Sequence, residues 1–110
     1  MARYRLTASA RRDIGSILRT SEERHGRDAR TRYAALVLAA LRRVAENPDG
    51  RATHNRGDLQ PGFRSFHIRH SRNESREAPV ANPVHVIFYR VVQTGVVEIM
   101  RVPRERPRAR

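Results

Sequence analysis

The chain has 110 residues, 38% of them hydrophobic, with three Phe, three Tyr and no Trp, so it suits one domain with a modest core. The absence of Cys excludes disulfides, thiolate metal ligands and a thiol nucleophile, and no segment approaches the ~20 apolar residues of a membrane span. Twenty-three basic residues, all Arg, stand against eleven acidic ones for a net charge of +12, which predicts attraction to an acidic polypeptide or to nucleic acid, the latter nonspecific and salt-sensitive.

Residues 3 to 7 alternate weakly and predict a short first strand around Tyr4 and Leu6. Thr7 suits a helix N-cap, because its hydroxyl accepts a hydrogen bond from a free amide of the first turn. Ala10, Ile14, Ile17, Leu18 and Ser21 then form one stripe at helical spacing. Gly15 weakens that helix and leaves room for a close neighbour. Gly26, after His25, supplies a left-handed stop.

Asp28 is placed to cap a second helix. Tyr33, Leu36, Val37, Ala40, Leu41 and Val44 follow at i, i+3, i+4, i+7, i+8 and i+11, the clearest periodicity in the chain. Asn47-Pro48-Asp49-Gly50 ends it. Residues 51 to 62 are polar and turn-rich, and no strand is expected there.

Phe63 to His70 predicts a strand with Phe66 and Ile68 on one face. Residues 71 to 83 read as an exposed loop. His85 to Val92 and Val96 to Val102 then flank Gln93-Thr94-Gly95 as a β-hairpin, rich in β-branched residues and with Gly in the turn. The expected fold class is α+β in the order β-α-α-β-β-β. A helical hairpin packs on one face of a small, mostly antiparallel sheet, because each element is apolar on one side only. Residues 1–102 form the domain. Residues 103–110, with four Arg and two Pro, are expected to be a basic, mobile tail.

Four pieces in this order resemble the ParE/RelE toxin superfamily: Leu6-Thr7-Ala8-Ser9-Ala10-Arg11-Arg12-Asp13-Ile14, Asn47-Pro48-Asp49-Gly50-Arg51, Leu59-Gln60-Pro61-Gly62-Phe63-Arg64-Ser65 and the terminal hairpin. Together they span roughly residues 4 to 102. The Ile87-Phe88-Tyr89-Arg90 run and the Pro61-to-Ser65 run are similar to the ParE branch. Two features depart from the family pattern. Pro103-Arg104 replaces the usual aromatic or His after the last strand, and the 71–83 loop is longer than the common form.

The resemblance implies the cytoplasmic toxin of a type II toxin–antitoxin pair, one that poisons DNA gyrase and arrests growth. It implies a cognate ParD-like antitoxin with an acidic, partly disordered C-terminal segment. Arg64, Arg90 and Arg101 are the candidate target-contacting residues, and Arg12, Arg30 and Arg69 the candidates for pairing with the antitoxin. All three of Arg64, Arg90 and Arg101 also have a structural alternative, a pair with a cross-strand carboxylate such as Glu98.

The alternative function is a RelE-type, ribosome-dependent mRNA endoribonuclease, and a third is an inactive relative that only binds its antitoxin. A nuclease needs an acid, a base and cations for the extra phosphate charge. His67, His70 and His85, with Arg64, Arg69, Arg90 and Arg101, are the side chains able to supply them, but no catalytic set is assigned. His67 and His70, three apart on a strand, face opposite sides and do not share a metal. No metal site and no cofactor is expected.

Overall fold

In the computed structural model, residues 2–106 are described. Strand β1 (Arg3–Leu6) leads into helices α1 (Ala8–His25) and α2 (Arg27–Glu46), then strands β2 (Thr53–Asn55), β3 (Arg64–His67), β4 (Val86–Gln93) and β5 (Val96–Arg101). The strands make one sheet in the order β1-β5-β4-β3-β2. Only β1 and β5 run parallel; the other pairs are antiparallel. The expected α+β architecture is present, with one additional short strand, β2.

Local chemistry sets the helix ends. Thr7 Oγ1 accepts from the Ala10 amide at 3.0 Å and donates to the Met100 carbonyl at 2.9 Å, so one hydroxyl caps α1 and ties it to β5. Gly26, at φ 93°, is the single residue between the helices. Its carbonyl accepts from Arg30 N, so Gly26 is the N-cap of α2 and no side chain caps this end. Asp28 is therefore not the cap. The one-residue link leaves no room for a separate capping residue, and Asp28 sits inside the first turn, where its charge favours the helix dipole.

The helices cover one face of the sheet. Leu36, Val37, Ala40, Leu41 and Val44 of α2 and Ala10 and Ile17 of α1 are buried with Phe66, Ile87, Tyr89, Val97, Ile99 and Val102. Ile14, Leu18 and Tyr33 pack half-buried against that cluster. Gly15 has no close neighbour: a Cβ built there would first meet an Arg19 guanidinium nitrogen at 3.6 Å. The close approach expected at Gly15 is absent.

Strand β2 was not legible because Thr53, His54 and Asn55 carry no apolar alternation; β3 supplies their pairing through the main chain. Strand β3 ends at His67, three residues earlier than expected. The His67 side chain accepts from the Arg69 amide at 3.1 Å through Nδ1 and turns residues 68–71 into a 3₁₀ turn. Phe66 and Ile68 are both fully buried all the same.

In the terminal hairpin Thr94-Gly95 makes the turn, with Gly95 at φ 77°, the left-handed region expected of a Gly there. The register shifts twice between β4 and β5, as bulges do. Pairing continues past residue 102. Pro103 O accepts from Val86 N, Glu105 N donates to Val84 O, and His85 bridges Arg104. Residues 107–110, the end of the expected mobile tail, lie outside the described residues. Among the described residues no helix is long and apolar enough to cross a membrane.

Candidate functional site

The three candidate target-contacting arginines lie in three different settings. Arg64 stands opposite Tyr89 across β3 and β4, on the helix-covered side. Its Nε donates to the Pro48 carbonyl at 3.1 Å and a terminal nitrogen donates to Thr53 Oγ1 at 2.8 Å, with Asp49 at 3.5 Å. It is one of the better-buried guanidiniums, 23% exposed. Tyr89, whose hydroxyl pKa burial raises, donates to the same Pro48 carbonyl.

Arg90, next along β4, points to the open face of the sheet. There it meets Glu98 at 2.9 Å, and Arg5 reaches the other oxygen of that carboxylate at 3.2 Å. The Arg90 hydrogen bond, with the charge of Arg5, holds the Glu98 carboxyl below its ordinary range. Arg90 thus makes the cross-strand pair that sequence allowed.

Arg101 forks onto Asp13 of α1 at 2.7 and 3.3 Å, and the same carboxylate accepts from Val102 N at 2.8 Å. Burial pulls the Asp13 pKa up, but the Arg101 and Val102 hydrogen bonds outweigh it and leave it lowered. Arg90 and Arg101 remain half-exposed. The structure therefore does not gather Arg64, Arg90 and Arg101 into one cluster.

The candidate antitoxin-contacting arginines are also spread out. Arg12, near the start of α1, donates to Ser9 Oγ at 3.1 Å. Arg30, beside the helix turn, pairs with Glu22 at 3.0 Å. Arg69 is exposed on the 3₁₀ turn.

Sequence reasoning passed over Arg56. It sits in the polar 51–62 segment, pairs with Asp58 at 2.9 Å, and its guanidinium lies 5.4 Å from the centre of the Phe88 ring. This is cation–π geometry. It places Arg56 with Arg5 and Arg90 on the open sheet face. Nothing in the local pattern marked it, since the contact spans 32 residues of chain.

Two of the candidate histidines, His67 and His85, are committed to structural partners. Val84 N donates to Tyr33 Oη at 3.2 Å, so the Tyr33 hydroxyl hydrogen is free to point at His85 Nδ1, 2.6 Å away. Burial, reinforced by the charge of Arg104, pushes His85 down to about 4, so it is neutral near pH 7. His67, with Nδ1 accepting from Arg69 N, donates through Nε2 to Glu105 at 3.0 Å. Burial lowers its pKa despite that carboxylate. Burial, with the charge of Arg69, also lowers His70. Among the described residues no three His, Asp or Glu side chains gather as a metal site requires.

Sequence and structure comparisons place this geometry. The family model for the ParE toxin of the type II toxin–antitoxin system parDE matches residues 4–107. The chain is 34% identical, over 112 aligned positions, to "Toxin ParE1" of Caulobacter vibrioides, covering 100% of this chain and 96% of that protein. A solved structure described as the chromosomal ParDE TA system from P. aeruginosa superposes with a TM-score of 0.68 at 15% identity. It covers 96% of this chain and 97% of its own, a likeness of fold. The class is therefore the toxin component of a type II toxin–antitoxin system. Within that class, the chain belongs to the ParE toxin family.

Proposed function

We propose that this ParE-family chain poisons DNA gyrase, arrests growth from within the cytoplasm, and is neutralised by a ParD-like antitoxin through an acidic C-terminal segment. The observation that carries the reading is the family match across residues 4–107. The charge distribution supports the antitoxin half. Most carboxylates are already in ion pairs, which leaves a net +12 chain with arginines to spare for an acidic partner.

In this reading Arg90 and Arg101 contact the target, and Arg64 holds the Pro48–Asp49 turn to the sheet. Arg12 and Arg69 meet antitoxin carboxylates, and Arg30 exchanges Glu22 for one. The housing of His67 and His85 supports a poison over a nuclease, since each is hydrogen-bonded to a fixed partner and has a lowered pKa.

Purified protein should inhibit gyrase supercoiling and leave ribosome-bound message intact, and Arg90→Gln should weaken the inhibition without lowering the melting temperature. Message cleavage with gyrase untouched would establish the ribonuclease reading instead. Antitoxin binding with neither activity would mark an inactive relative.

A further inference from the structure

A half-open cleft of about 770 Å³ lies between the later turns of α1, the early turns of α2 and the segment 79–85, with Arg104 at its rim. The Tyr33–His85 and Tyr33–Val84 hydrogen bonds fix the segment against α2, and Val80 packs on the core. The walls are thus held in place.

The lining is electrostatically one-sided. Arg24, Arg32 and Arg104 line the cleft, and no Asp or Glu does. None of the three makes an ion pair among the described residues, a state they share with most of the chain's arginines, so what sets them apart is their shared cleft. The smaller cleft on the outer side of α2 shows the contrast: Glu46 and Glu74 accompany its arginines.

Hydroxyls of Ser16, Thr20 and Ser21 add donors from α1, and Ile17, Val80 and Val84 supply an apolar wall. Unpaired guanidinium forks fit phosphate oxygens in a bidentate manner. A pocket of a few hundred to about 1,000 Å³, apolar on one side and with a few convergent polar groups, has the dimensions of a small-molecule site. Of the sheet, the wall holds the His85–Arg104 bridge, and the Val84 amide beside it already donates to Tyr33 Oη, which leaves an extended peptide little edge to pair with.

We propose that this cleft binds a phosphate-bearing small molecule of nucleotide size. Arg24, Arg32 and Arg104 hold the phosphates, and Ile17, Val80 and Val84 meet the organic body. The site is separate from Arg64, Arg90 and Arg101 and does not depend on what the toxin attacks. Three cations with no carboxylate balance a di- or triphosphate better than a single carboxylate.

The test is calorimetric titration of the full chain with ATP at about 0.15 M salt, where long-range attraction is screened beyond ~8 Å. Saturable binding is expected. Arg32→Gln and Arg104→Gln should each weaken it at least tenfold while melting like the parent. Arg42→Gln with Arg76→Gln, which removes more charge from the outer side of α2, should leave affinity within twofold.

Inorganic pyrophosphate should bind at least tenfold more weakly than ATP, since it cannot use the apolar wall. The proposal is overturned by any of four results: no saturable ATP binding, an equal loss in the outer-face double variant, equal affinity for pyrophosphate, or a hexaglutamate peptide that binds through Arg32 and Arg104 where ATP does not.

Discussion

Tyr89 and Arg64 donate to one acceptor, the Pro48 carbonyl, at 2.5 and 3.1 Å. They stand opposite each other on β4 and β3, and Pro48 lies just past the end of α2. One carbonyl thus joins the helical layer to the sheet, and Arg64 extends the join to β2 through Thr53. Two side chains from segments that resemble the ParE family, the Ile87-to-Arg90 and Pro61-to-Ser65 runs, turn out to share a single structural task.

Arg64→Gln should therefore act on stability. Losing hydrogen bonds from a charged, mostly buried donor costs about 1–3 kcal/mol, and a domain of this size loses roughly 4–8 °C in melting temperature per kcal/mol. Tyr89→Phe should cost about 1 kcal/mol by the same reasoning. Thermal unfolding followed by circular dichroism checks both. An unchanged melting temperature in Arg64→Gln, with growth arrest abolished, would reassign Arg64 to target contact.

Leu41→Ala removes a side chain that is 4% exposed in the middle of the core. The lost burial and the cavity left behind should cost about 2–5 kcal/mol. Urea unfolding should show a lower midpoint at an unchanged slope.

Gly15→Ala should stabilise the chain by about 0.5–1 kcal/mol. Gly15 lies within α1, and an added Cβ meets only the far end of the Arg19 side chain at ordinary contact distance. The substitution gains helix propensity and reduces the freedom of the unfolded chain. A lower melting temperature would mean that some neighbour needs the bare backbone.

Stability should fall as pH drops from about 6.5 toward 4. His85 is depressed to about 4 in the fold, while in the unfolded chain it returns to about 6.5. In that window the unfolded state binds the extra proton, so the contribution is complete above pH 6.5 and lost as pH falls through the folded value. The fall from about 6.5 to about 4 corresponds to at most about 3 kcal/mol, lessened by solvent screening because the ring is only half-buried, and His67 and His70 act in the same direction. Asp13 and Glu98, also depressed, lose their contributions lower, below about pH 4. An NMR titration should find the His85 ring neutral at pH 5.5; a midpoint near 6.5 would contradict the buried Tyr33 hydrogen bond.

Association with the antitoxin should slow as ionic strength rises, because steering between opposite charges is screened. Stopped-flow rates at low and high salt check this, and a salt-independent rate would count against an acidic partner segment.

The sequence by itself determined what is local and periodic. The two helical stripes, the Thr7 cap, the Gly26 stop and the Gly95 turn each depend on residues a few positions apart, so their physics is complete within a short window. The α+β class followed, because elements apolar on one side must cover one another. Tertiary structure alone decided the rest. Strand β2 has no apolar alternation and exists because β3 pairs with it. Asp28 lost the cap because the link between helices shrank to one residue. Arg64, Arg90 and Arg101 look alike along the chain and meet different fates, since Pro48, Glu98 and Asp13 reach them from elsewhere. The cleft lined by Arg24, Arg32 and Arg104 likewise joins residues from α1, α2, the 79–85 segment and the strand-like stretch after β5, and their shared surroundings are a property of packing that no stretch of sequence contains.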